Sequence, residues 1–231
     1  MKHLLAAFCC LFLFSAQAKK PTHQYVRITT AQGSCIVMLY NETPQHRDNF
    51  LKLAKKGTYN GTLFHRVIQN FMIQGGDPDS KNAKPGDLLG EGDLGYTVPA
   101  EFNDNLFHKK GVLAAARDDN PAKASSSCQF YLVQGKVFTD AQLDALEEKR
   151  LHFKIPAAQR EVYKTIGGTP HLDRNYTAFG ETVAGMEMID LIAATVTDDN
   201  NRPKDDISMQ VSVLKKREAK KLEKKLRKQQ A

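Results

Sequence analysis

Phe64-His65-Arg66-Val67-Ile68-Gln69-Asn70-Phe71-Met72-Ile73-Gln74-Gly75-Gly76-Asp77-Pro78 holds most of two runs with strand character, Thr62 to Ile68 and Phe71 to Gln74, punctuated by glycine and proline. The stretch sets Arg66, a permanent cation, near Phe71, Met72 and Gln74, which pairs a guanidinium with an apolar floor and an amide. Taken alone it reads as a core strand with an edge arginine in a surface ion pair. Its surroundings change that reading.

Upstream, Tyr25 to Tyr40 alternates around Gln32-Gly33, with Val26 and Ile28 on one side of the turn and Cys35, Val37 and Leu39 on the other, which predicts a β-hairpin. Thr43-Pro44 opens a short helix that puts Phe50, Leu53 and Ala54 on one face and closes at Gly57. Downstream, Gly111 to Ala116 and Gln129 to Gln134 have strand character, whereas Thr139-Asp140-Ala141-Gln142 is a capping box followed by helical spacing of Leu143, Leu146 and Arg150. Pro156 breaks that helix and starts another ending at Gly167-Gly168, so residues 136–169 read as a helical insertion in a β-domain. A helix over Gly185 to Ala193 precedes an alternating strand with Ile207, Met209, Val211 and Val213. Many short strands without a β-α-β rhythm predict a mainly β fold, a closed antiparallel barrel capped by helices.

The chain begins with Lys2, an apolar run from Leu4 to Phe14 and the small-x-small exit Ser15-Ala16-Gln17-Ala18. Residues 1–18 are expected to be a signal peptide cut after Ala18, which implies a periplasmic or secreted protein. The run is too short to span a bilayer and no other segment is apolar enough. Cys9 and Cys10 lie inside it behind bulky Phe8, which argues against a lipid anchor. Cys35 and Cys128 read as core thiols rather than a disulfide, a pairing whose geometry sequence does not test. The net charge of +7 is concentrated in residues 215–231, where nine basic residues oppose only Glu218 and Glu223. Residues 19–214 are thus expected to be one domain without overall attraction for nucleic acid. The tail could dock on an anionic surface or an acidic client, against the simpler reading of a solvated charged helix.

Chemistry-bearing motifs are few. Gly90-Glu91-Gly92-Asp93-Leu94-Gly95 has the spacing of a dinucleotide fingerprint but lacks the preceding strand and following helix, so its glycines read as loop residues. His46, His65, His108, His152 and His171 show no metal-binding spacing, and Ser125-Ser126-Ser127 is no nucleophile elbow. No metal and no cofactor are expected.

The stretch from Phe64 to Pro78 resembles the family signature of cyclophilins, and the resemblance runs in order from Val26 to Leu214. Pro44 to Phe50 resembles the first helix of that family; Gly111 to Ala116, Cys128 to Leu132, Leu172-Asp173 and Phe179-Gly180 resemble its later strands and loops. The resemblance implies an eight-stranded barrel and a monomeric peptidyl-prolyl cis-trans isomerase acting on proline-containing polypeptides. It implies that Arg66 and Gln74 are catalytic and that Phe71, Met72, Ala116, Arg117, Gln129, Tyr131, Leu172 and Tyr176 bind substrate. Tyr131 stands where phenylalanine is usual, Arg117 replaces an asparagine acting largely through its backbone, and Tyr176 replaces the histidine of many eukaryotic members. His171 replaces a tryptophan, which argues against tight binding of cyclosporin. A non-enzymatic alternative is a proline-segment-binding module or chaperone with little turnover.

Overall fold

The computed structural model describes residues 23–229, so the expected leader and its cleavage site lie outside the described residues. The first hairpin forms as its alternation demands: β1 (Gln24–Thr30) and β2 (Gly33–Leu39) pair in register Val26↔Val37 and Ile28↔Cys35. That pairing turns Val26, Ile28, Cys35, Val37 and Leu39 to one fully buried face.

The remaining strands are β3 (Arg66–Ile68), β4 (Met72–Gly75), β5 (Thr97–Val98), β6 (Val112–Ala115), β7 (Ser125–Ser126), β8 (Phe130–Val133), β9 (Ala178–Ala184) and β10 (Gln210–Val213). Eight of them make one antiparallel sheet in the order β10-β1-β2-β9-β6-β8-β4-β3, while β5 and β7 pair separately. Its inner residues share one core with Phe50, Leu53 and Ala54 of α1 (Pro44–Lys55) and Met188, Ile189 and Ile192 of α4 (Met186–Ala193). Thr43 precedes α1 as expected but does not cap it. The Glu101 carboxylate does so instead, accepting from the amides of Gln45 and His46 at 3.1 and 2.9 Å.

The expected closed barrel is corrected to a curled, open sheet. Between β3 and β10 the only strand-type link among the described residues is a bridge between Leu63 and Ser208. Ahead of β3 and β10, backbone bonds from the Gly61 amide to Met209, the Met209 amide to Thr62 and the Phe64 amide to Ile207 join the two edges, and side chains and a loop take the neighbouring groups. The Val211 amide donates to Asn60 Oδ1, and the Val67 amide donates to the Asn201 carbonyl. The Leu63 amide donates to Ser80 Oγ, so the expected strand from Thr62 shortens to Arg66–Ile68.

The insertion is helical, as its capping box requires: the Gln142 amide donates to Thr139 Oγ1 while the Thr139 amide donates to Gln142 Oε1. α2 (Asp140–Leu146) runs into a π-turn over Glu147–Leu151 that stops at left-handed His152, ahead of Pro156, and α3 (Ala157–Thr165) follows. Leu143, Ile155 and Tyr163 form its small buried cluster, packed on Phe107 of the main body. Buried Glu147 locks the two helices by accepting from Lys154 Nζ, Arg160 Nη1 and the Ile155 amide. Burial opposes its charge, but those donors outweigh the cost and hold its pKa below the ordinary value.

The insertion enters and leaves through a neck where Gly135 and Gly168 face each other; a Cβ on Gly135 would lie 2.5 Å from Gly168 Cα. A Cβ on Gly168 would overlap the His108 carbonyl oxygen. Gly168→Ala is therefore expected to destabilise the protein by about 1–3 kcal/mol in denaturant unfolding, because backbone rather than a flexible side chain has to move.

Candidate active site

A second apolar layer lies on the outer face of the sheet. Every residue of β6 and β8 is buried, the inward set on the core and Val112, Ala114, Tyr131 and Val133 on this layer, where Met72, Ala116, Leu172 and Ala178 join them. Register decides which side chains meet there. Arg66 pairs with Gln74, Gln74 with Tyr131, and Tyr131 with Ala114, so one row across β3, β4, β8 and β6 carries a cation, an amide, an aromatic ring and a methyl group. Directly opposed residues share a face, so the whole row points outward.

A cavity of about 280 Å³ opens over this row. Its walls include Arg66, Phe71, Met72, Gln74, Ala116, Arg117, Tyr131, Leu172 and Tyr176, that is, every residue predicted for the site except Gln129. Arg66 is exposed, and its Nη1 donates to Gln74 Oε1 at 3.3 Å. Gln74 Nε2 donates to Gln129 Oε1 at 3.0 Å, and Gln129 Nε2 donates to the carbonyls of Gly90 and Gly92 at 2.6 and 3.0 Å. Gln129 thus stands behind the wall, tying the glutamine beside Arg66 to the glycine loop. That loop has no strand-to-helix geometry; Gly90 and Gly95 adopt φ of 112° and 82°, as expected of loop glycines.

The roof comes from the short 3₁₀ turn Pro170–Leu172 and the residues after it. Leu172 faces the cavity, His171 stacks on Phe71 at 5.3 Å, and the Tyr176 ring meets Tyr131 edge-on at 6.0 Å. Arg117 lies over Tyr176, 4.8 Å from the ring centroid, with its Nε donating to the Asn175 carbonyl and its Nη1 to the Asp118 carbonyl. Its guanidinium braces the roof. The amide of Ala116 donates to the Gln129 carbonyl and its carbonyl accepts from the Ser126 amide.

Sequence reasoning gave no site role to His65, Leu89, Gly90 and Glu91, which also line the cavity. Strand alternation would turn His65 away from Arg66, but β3 begins only at Arg66 and His65 escapes the alternation. Neither of its ring nitrogens has a hydrogen-bond partner among the described residues, and burial pulls its pKa down to about 4. Burial first, and the nearby Arg150 charge second, bring His171 to about 4 as well. Cys35 and Cys128 are both buried and free, and burial pushes the Cys35 thiol up to about 12.

The family model described as cyclophilin type peptidyl-prolyl cis-trans isomerase/CLD matches residues 25–213. A candidate peptidyl-prolyl cis-trans isomerase of Staphylococcus saprophyticus is 33% identical over 172 residues, covering 74% of this chain and 81% of that protein. One from Staphylococcus aureus (strain USA300) is 34% identical over 179 residues, covering 77% and 85%. A candidate bifunctional phosphatase/peptidyl-prolyl cis-trans isomerase of Streptococcus pyogenes is 37% identical over 79% of this chain, which spans only 37% of that longer protein. Among solved structures, a Cryptosporidium parvum cyclophilin type peptidyl-prolyl cis-trans isomerase superposes with a TM-score of 0.62 at 24% identity, covering 84% of this chain and 98% of that one. A second crystal structure of that protein, in the presence of the dipeptide Ala-Pro, gives 0.59. With a matched domain that spans the sheet from β1 to β10 and relatives one third identical over three quarters of its length, this chain belongs to the cyclophilin-type peptidyl-prolyl cis-trans isomerases.

Proposed function

We propose that the cavity over the Arg66–Gln74–Tyr131 row accelerates rotation about X-Pro bonds and that this chain thereby assists the folding of exported polypeptides. The placement of a guanidinium at the rim of a cavity that also holds the apolar hollow of Phe71, Met72, Tyr131 and Leu172 carries the proposal. Ala-Pro in crystals of the Cryptosporidium parvum relative supports a proline-containing ligand. The export part rests on the leader-like residues 1–18 alone.

The chemistry follows from the amide. Rotation is resisted by about 18–20 kcal/mol because nitrogen donates its lone pair into the carbonyl. Twisting localises that pair on the prolyl nitrogen, where Arg66 can donate to it, an interaction stronger at the half-rotated geometry than at either planar isomer. Bringing isomerisation from tens of seconds to about a millisecond requires roughly 5–7 kcal/mol. One charge-assisted hydrogen bond nets about 1.5–3 kcal/mol, so Arg66 supplies only part. Transfer of the amide into the apolar hollow of Phe71, Met72, Tyr131 and Leu172 supplies more. So do donors fixed in advance, Gln74 and the Arg117 backbone.

A second reading concerns the tail. α5 (Lys216–Gln229) turns both of its carboxylates toward the body: Glu218 lies 3.6 Å from Arg27, and Glu223 accepts from the Tyr25 hydroxyl at 3.4 Å. Leu222 faces a groove with Ile36 and Leu214, which leaves an exposed face of lysine and arginine suited to an anionic lipid surface. No helix of the described residues is long and apolar enough to cross a membrane.

Arg66→Ala should lower kcat/KM on an X-Pro peptide by about 10- to 150-fold while peptide affinity changes by less than about threefold. Equal losses in both would favour the binding module, and a wild-type chain without turnover would sink the enzyme reading. Because His65 and His171 are both held neutral, with pKa values near 4, the wild-type rate should be flat from about pH 6 to 8 when followed across buffers. For the tail, sedimentation with acidic phospholipid vesicles should capture the full chain at low salt and lose it at high salt or on deletion of residues 215–231. Equal capture of both forms would dispose of docking.

A further inference from the structure

Behind the cavity floor runs a buried polar chain that the isomerase chemistry does not use. The Tyr131 hydroxyl lies 3.0 Å from His108 Nε2, and His108 Nδ1 lies 2.9 Å from Asp173 Oδ1. The same carboxylate oxygen accepts from the His108 amide at 2.9 Å, while Asp173 Oδ2 accepts from the Tyr163 hydroxyl at 2.7 Å. All four residues are buried, so each lost partner would strand a polar group away from water. Tyr163 belongs to α3 of the insertion, and Tyr131 is a wall of the cavity.

The insertion grips His108 by its backbone too. At its exit the Thr169 amide donates to the His108 carbonyl, and the Lys110 amide donates to the Gly167 carbonyl. That exit then delivers His171, stacked on Phe71, and cavity-lining Leu172, one residue before Asp173. Asp173 is therefore where insertion, roof and floor are fastened to one carboxylate. Phenylalanine at position 131 would fill the same space but could not reach His108.

We propose that the helical insertion positions the proline cavity through the chain Tyr163–Asp173–His108–Tyr131, making Tyr163 and His108 positioning residues for the isomerisation. The inference rests on the reading of the cavity given above. Two donors hold Asp173 from the main body and one from the insertion; the held carboxylate fixes the imidazole, and the imidazole fixes the tyrosine that floors the site.

A double-mutant cycle tests it. Tyr163→Phe and Tyr131→Phe keep their rings and should each lower kcat/KM on an X-Pro peptide by about three- to tenfold. The double variant should fall no further than the worse single one, since both cut one chain. The His108 ring ¹⁵N shifts should move in each single variant. Gln159→Ala, on the same helix but bonded to the Asp104 carbonyl, should leave both readouts unchanged. Losses that multiply in the double variant, or a folded Tyr163→Phe with wild-type kcat/KM, would overturn the proposal. If Tyr163→Phe does not fold, Asp173→Asn probes the same chain from its middle under the same criteria. A wild-type chain without turnover would instead refute the enzyme reading, and the ¹⁵N shifts would still report on the chain.

Discussion

Everything at the site depends on strand register. Because side chains alternate across a strand, a slip of one residue between β3 and β4 would send Arg66 to the opposite face from Gln74 and Tyr131. Such a slip would also pull Val67 of β3 out of the core and Ile68 off the outer layer, and β6 and β8 are constrained in the same way. Phe130 and Leu132 belong to the core while Tyr131 and Val133 belong to the outer layer, so neither face tolerates the other's residues. The position of the guanidinium is thus fixed by burial energetics in its own strand and in the strands beyond it.

That arrangement also explains how a charged side chain can work beside an apolar hollow. Arg66 keeps its guanidinium at the solvent-facing rim and does not pay the full cost of desolvation. Gln74 orients it, Gln129 orients Gln74, and the carbonyls of the glycine loop orient Gln129. The hydrogen-bond partner that orients the cation is thus a neutral amide. The roof is braced in a related way, by Arg117 lying over Tyr176 and bonded to main-chain carbonyls.

What sequence disclosed and what it hid divide along the length scale of the interactions. The first hairpin, α1, the capping box of α2 and the apolar runs of β6 and β8 follow from local pattern, and all are present. The predicted cavity residues meet because a resemblance placed them, and strand alternation then accounts for why they share a face. Features that depend on distant partners stayed out of reach. The cap of α1 comes from Glu101, more than fifty residues away, and the seam of the sheet is completed around its few backbone bonds by Asn60, Ser80 and Asn201, which carry no strand signal. The bonds of Gln129 to the glycine loop were equally hidden, since that loop has no periodicity at all.

The incomplete seam between β3 and β10 has a mechanical meaning. A sheet opens from its edges, and β3, only three residues long, is an edge whose outer side is bonded through the Val67 amide to Asn201. Since that edge carries Arg66, partial opening of the sheet would carry the guanidinium away from Gln74 while the hairpin and the deeper strands stayed intact. The working surface of the molecule therefore sits on a margin of the sheet, and its competence is governed by how firmly the few bonds to Asn201 and Ile207 clasp that margin rather than by the strength of the fold as a whole.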